Sequence, residues 1–318
     1  MRLLVWLIFV FVSLNADTLI KPTSTIKASG NVIDMVVSGN TLLVSTDKGS
    51  IESYDISTKK QLMKVEFPTI KDFMGDEIYP KVFSTDYLKD SETYLAVVQA
   101  NSGYRELFTI QNGKKTRLIS ERDKHFISKA KFVDKNRIIV ALLSNEYILY
   151  DIRKKEEVYR VHVSYSHFSD FMLSMDKSIL VGSSESGEIT VLNVNNGKIV
   201  KTLKGGNVDN VYKVDIKNGK VLAAGQDRRA IVYDLESEKF SRRDGSFLIY
   251  AGALSPKAKL AAFAFTEDND IVIFDSDLSQ RLYTLKGQKS TLNRIIFINE
   301  NMLASGSDDR YIMIWKLK

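Results

Sequence analysis

The chain has 318 residues, 44% apolar and 26% charged, with 16 Phe, 14 Tyr and only 4 Pro, a composition that can bury a large core and lies far from that of disordered chains. It has no cysteine, which excludes disulfides, thiolate nucleophiles, zinc-thiolate sites and thioether-linked haem, and its 3 histidines leave little for metal chemistry. The formal charge of +6 is carried partly by basic pairs scattered through predicted turns among acids, a distribution that argues against nucleic-acid binding.

The first element is an export signal. Met1-Arg2 supplies a positive charge, residues 3–12 (LLVWLIFVFV) are wholly apolar, and Ser13-Leu14-Asn15-Ala16 ends on a small residue. The apolar run is about half of the roughly 20 residues that a bilayer span needs. Residues 1–16 are therefore read as a cleaved signal and 17–318 as the mature domain, with no stable membrane insertion after cleavage.

From Leu42 onward one phrase recurs seven times: a short apolar strand, a tight polar turn, and a second apolar strand ending in an aromatic or Leu, usually followed by Asp. Examples are LLVSTDKGSIESYDI from Leu42, VLAAGQDRRAIVYDL from Val221 and MLASGSDDRYIMIWKL from Met302. The marker residues Tyr54, Phe108, Tyr150, Leu192, Tyr233, Phe274 and Trp315 are spaced by 54, 42, 42, 41, 41 and 41. A period near 40 that leaves room for two further strands per unit predicts a propeller blade, because helical repeats of this length would show 3.6-residue periodicity. The fold class is all-β: a seven-bladed β-propeller of four-stranded antiparallel blades.

Before the first unit, residues 18–29 form an unassigned N-terminal segment, while the last unit stops after its third strand. The segment is expected to supply the missing outer strand and close the ring. Between the first and second units the spacing is 12 longer than the next, and the excess falls in FPTIKDFMGDEIYP, residues 67–80. Long loops often carry function. Phe73, Met74, Ile78 and Tyr79 are the candidate partner-binding patch, and Arg228, Arg229 and Arg310, in turns of the same face, are candidate rim contacts. The competing expectation is a loop that folds back on the propeller or plugs its channel.

Asp47, Asp227 and Asp308 follow second strands and read as turn residues that bond the backbone. His125, His162 and His167 have no ligand spacing, and Asp308-Asp309 and Glu267-Asp268 read as hairpin turns. No nucleophile elbow, P-loop, dinucleotide fingerprint or zinc-protease motif is present. Catalytic, cofactor and metal residues are all assigned as none.

These residues resemble the WD40 family. Trp315-Lys316 stands where that family has Trp-Asp, Tyr54-Asp55, Tyr150-Asp151 and Tyr233-Asp234 are Tyr-Asp variants, and Phe274-Asp275 is a Phe-Asp variant. The Gly-His of the family appears only as Gly205-Gly206 and Gly287-Gln288. The overall character, exported, cysteine-free and lysine-rich, also resembles the NapL-type accessory propellers of periplasmic nitrate respiration. Quinone-cofactor propellers are a poorer match, since the only tryptophans are Trp6 and Trp315. The resemblance implies a non-catalytic periplasmic scaffold that binds other proteins, including nitrate reductase components in assembly or electron supply. The alternatives are a metal-dependent propeller hydrolase or lactonase and a module that binds a small molecule or cell-wall component.

Overall fold

Each strand-turn-strand phrase forms the middle of an antiparallel sheet in the computed structural model, which describes residues 17–317. The export signal expected at 1–16 lies outside the described residues. In blade 1 the order is Val32–Ser38, Thr41–Thr46, Ser50–Asp55 and Gln61–Glu66, each strand paired to the next. Six further sheets repeat it, with inner strands Val82–Leu88, Ile127–Phe132, Phe168–Leu173, Val211–Lys217, Gly252–Leu254 and Leu292–Asn299 opening blades 2 to 7. The chain is a seven-bladed β-propeller.

Burial follows from stacking each sheet between two others. Middle strands such as Arg137–Leu142 are buried along both faces over 138–142, so they read as continuous apolar runs. Outer strands such as Glu156–His162 face water on one side and carry charge. The core is accordingly seven clusters, one at each junction between neighbouring blades. Leu107 and Val140 mark the cluster of blades 2 and 3, Ile231 and Val181 that of blades 5 and 4.

Segment 18–29 is two strands. Thr18–Ile20 adds in parallel to Arg281–Leu285, making blade 6 five-stranded, while Ser24–Lys27 pairs antiparallel with Tyr311–Lys316 and completes blade 7. Pro22, which has no N–H to donate, lies at the crossing between them. Thr23 N–H and Ala28 N–H donate to Ile314 O at 2.8 Å and Arg310 O at 3.0 Å, and Asp17 pairs with Arg281 at 2.8 Å. Ile20 is buried at the junction of blades 6 and 7 and Ile26 at that of blades 7 and 1, so the segment links these blades through apolar contact as well as main-chain ladders.

The insert is a hairpin. Ile70–Lys71 pairs with Glu77–Ile78, and Asp72 organises its tip by accepting Met74 N–H at 2.9 Å and Asp76 N–H at 3.0 Å through Oδ1.

A chain beginning at Gly30 lacks both N-terminal strands. Two buried isoleucines and their ladders are worth about 5 kcal/mol, so its melting temperature should fall by on the order of 10 °C relative to a chain beginning at Asp17. A thermal melt of the two chains measures it, and equal midpoints would show that the segment closes nothing.

Candidate functional site: the channel and the upper face

Antiparallel order places two sets of loops on one face, here called upper: those between second and third strands and those from an outer strand to the next inner one. Six inner strands are bulged near their upper ends. Their register slips past Ile33, Phe83, Ser128, Ser169, Tyr212 and Asn293. A bulge re-aims a side chain, and all six residues line a depression of about 400 Å³ at the upper mouth of the central channel. Tyr250 of blade 6 joins them, its ring stacked on Tyr212 at 5.0 Å.

Below the bulges the inner strands turn charged. Asp34, Asp86, Asp170 and Asp215 meet Lys129, Lys131, Lys213 and Arg294, and all of these except Lys213 are buried. Four carboxylates reach the next inner strand in the chain and accept its backbone N–H: Asp34 from Thr85 at 3.2 Å, Asp86 from Phe132 at 2.7 Å, Asp170 from Val214 at 3.2 Å and Asp215 from Leu254 at 2.9 Å. Cations join both neighbouring blades and blades across the ring. Lys129 of blade 3 pairs with Asp170 at 2.6 Å, Lys131 meets Asp34 at 3.4 Å, and Arg294 of blade 7 spans Asp34 at 3.5 Å and Asp170 at 3.9 Å.

Burial pushes the Asp34 and Asp170 carboxyls up, but surrounding cations outweigh it. Lys131, Arg294, Lys129 and Lys213 hold Asp34 well below the usual carboxylate range, and Lys129, Lys213 and Arg294 do the same for Asp170. Burial pushes Lys129 down to about 8, against the pull of Asp170. For Arg294 the four aspartates overcome burial and raise it. A balanced set of buried ions whose oxygens also accept main-chain N–H groups is suited to holding blades together. Sequence reasoning missed it. Its trace is one charge inside an otherwise apolar inner strand, as in VIDMVVS, SDFML and NRIIF.

The upper face is also where large apolar side chains meet water. Phe73, Met74, Tyr79, Phe126, Leu143, Tyr165, Val208 and Phe247 are exposed in its loops, against Met175 alone in the loops of the opposite face, among the described residues. Phe73 is 97% exposed at the tip of the hairpin with Met74 beside it; Ile78 is half-buried in its stem. The base is fixed: Lys71 N–H donates to Asn101 Oδ1 at 2.8 Å, and the Lys48 ammonium sits 5.4 Å from the Tyr79 ring. The described residues of either channel mouth include none from 67–80, so the hairpin is not a plug.

Arg228 and Arg310 lie exposed in upper turns, both with positive φ (62° and 59°). Arg229 is committed inward, donating to Gly206 O at 3.0 Å beside Asp227. The pairing register separates the three turn aspartates: Asp47 and Asp308 are equivalent, whereas Asp227 aligns with Asp309. Asp47 accepts Asn31 N–H at 2.8 Å and Asp308 accepts the Asn293 amide at 2.6 Å. Asp227 accepts Asn207 and Val208 at 2.9 Å each. The position of the WD40 family's histidine is taken in blade 7 by Gln288, which accepts from Ser305 at 2.8 Å while Ser305 accepts from Trp315 Nε1 at 2.9 Å. His125 and His167 lie beside Glu157 and Glu185, and His162 meets the Tyr165 ring edge-on. No group of three or more His, Asp or Glu among the described residues is arranged to hold a metal ion.

Fold and site together define a β-propeller of the WD40-like kind, with an ion-pinned axis and an apolar upper face. Residues 279–316 match the family model "WD domain, G-beta repeat". The chain is similar to the β-propeller domain of Cps50 (Swd1) from Myceliophteria thermophila, at a TM-score of 0.73 and 16% identity over 93% of this chain and 99% of that one. At that identity the likeness concerns the fold. No curated protein sequence matches the chain.

Asp34→Asn keeps an acceptor for Thr85 N–H and removes the charge facing Lys131 and Arg294, so it should destabilise the protein by about 3 kcal/mol at pH 7. A carboxyl depressed in the folded state stabilises fully above its unfolded value, near 3.9, and loses that contribution as pH falls toward the folded value. Urea midpoints should therefore differ clearly at pH 7, and the difference should shrink progressively as pH falls below about 4 toward the folded value.

Proposed function

We propose that the protein is a non-catalytic scaffold that binds other proteins through its upper face. The observation that carries this is the uneven distribution of exposed apolar side chains, eight in upper loops against one in lower loops among the described residues. Aromatic and Met side chains on a rigid frame suit a protein interface, because they bury large area at small conformational cost. The hairpin tip presents Phe73 and Met74 far enough out to enter a pocket on a partner. Arg228 and Arg310 supply rim charge, which governs orientation and association rate more than affinity. The WD40 resemblance supports the same reading, since that family binds proteins and is typically non-catalytic.

The reading extends to location and partner. Residues 1–16 have the pattern of a cleaved export signal, which supports a periplasmic site of action. The resemblance to NapL-type accessory proteins supports nitrate reductase components as partners, and the support for that step is the resemblance alone. The hydrolase or lactonase alternative gains nothing from the channel, where the carboxylates face cations and main-chain N–H groups.

Deleting residues 70–78, or replacing Phe73 and Met74 with Ser, should reduce partner capture from a periplasmic fraction at least about tenfold, as expected for a hot spot. The melting temperature should stay unchanged. Quantitative affinity purification with a parallel thermal melt measures both, and undiminished capture would remove the hairpin from the interface. Persistent absence of respiratory-enzyme subunits from the captured set would remove the nitrate reductase assignment and leave the scaffold.

A further inference from the structure

The lower mouth of the channel is built differently from the upper one. It is a cavity of about 360 Å³ whose walls come from several blades, with half-buried Val37, Met172, Ile296 and Ile298 and exposed Met175 among its lining side chains. Its charged lining comprises four cations, Lys131, Lys177, Lys217 and Arg294, against two carboxylates, Asp86 and Asp215.

Most of these charges are committed. Lys217 pairs with Asp215 at 3.1 Å, Lys131 donates to Thr85 O at 2.8 Å, and Arg294 faces Asp34 at 3.5 Å. Asp86 and Asp215 accept main-chain N–H groups from Phe132 and Leu254. Lys177 is the exception. It sits in the loop that ends the inner strand of blade 4, and its backbone N–H donates to Ser174 O at 3.0 Å. Its ammonium has no ion pair or hydrogen bond among the described residues, although burial draws it below the ordinary lysine range and Asp86 opposes that only in part. A largely desolvated ammonium without a partner, beside an apolar wall, costs free energy that a bound anion would return.

We propose that the lower mouth binds a small amphiphilic carboxylate, its head group on Lys177 and its alkyl chain along Val37, Met172, Ile296 and Ile298. The excess of cations over carboxylates selects an anion over an alkylammonium ion. The apolar wall selects a chain-bearing acid over acetate, because each methylene removed from water adds to affinity. Committed neighbours make the choice of residue specific: Lys131, Lys217 and Arg294 cannot turn to a ligand without leaving a buried carboxylate unpaired. The site is on the face opposite the proposed protein interface and is independent of that reading.

Isothermal titration of the purified full chain with sodium octanoate, sodium acetate and octylammonium chloride tests the proposal. Octanoate should bind with saturation, and acetate and octylammonium should bind at least about tenfold more weakly. Lys177→Met should weaken octanoate at least about tenfold, by loss of a charge-assisted contact, with an unchanged thermal melt in the absence of ligand. Lys177→Arg, which keeps the charge, should retain most of the affinity and guards against a folding effect of the first variant. No octanoate binding, equal binding of acetate or octylammonium, or undiminished binding by Lys177→Met would each overturn it.

Discussion

The ring depends on ions buried at its axis. Seven inner strands converge on a channel too narrow to hydrate their side chains fully, and charge placed there must be matched by opposite charge or by main-chain donors. Asp34, Asp86, Asp170 and Asp215 use both, each accepting an N–H from the next inner strand in the chain. Apolar clusters at the blade junctions supply most of the favourable burial but are tolerant of small sliding movements. A carboxylate bonded to a particular N–H is not, so the aspartates set the register of one blade against another. Lys129, Lys131 and Arg294 then tie blades 3 and 7 into the same network.

The same bulges that aim these charges also shape the channel mouth above them. Slipping past Ile33, Phe83, Ser128, Ser169, Tyr212 and Asn293 turns those side chains upward into one depression. An axis occupied by paired ions leaves recognition to the mouths and the loops around them. On the upper face the loops spread exposed aromatics around a rigid frame, and the hairpin at 70–78 lifts two of the largest apolar residues clear of it. On the lower face the charges reach the mouth, where the Lys177 ammonium has no partner among the described residues. The surfaces proposed for protein binding and for anion binding thus lie at opposite ends of one channel.

Closure of the ring uses a different device. Ser24–Lys27 gives the last blade its outer strand, and Thr18–Ile20 continues onto the neighbouring sheet. The third strand of the last blade, which would otherwise be an open edge, is thereby covered, and Thr18–Ile20 becomes the outer strand of blade 6. Pro22 separates the two pairings, because a residue without an N–H cannot donate to a ladder at the point where the chain passes from blade 6 to blade 7.

Much of this was legible in the residues alone. The period near 40, the strand-turn-strand phrase and the gradient from apolar to charged strands all follow from local patterning, since a strand buried on both faces must be apolar along its length. The position and composition of the hairpin at 67–80 were equally plain from the break in spacing. Other features required the fold. Asp34 and Thr85 are 51 residues apart, Lys131 and Asp34 97 apart, and no pattern within one repeat shows that they meet. The division of 18–29 between two blades, the bonding of Gln288 to Trp315 through Ser305, and the separation of Asp227 from Asp47 and Asp308 each depend on the folded pairing. Period and polarity are properties of one strand and its two faces, so the sequence determined them. Charge matching at the axis is a property of strands from different blades, and only closure of the ring brings those together.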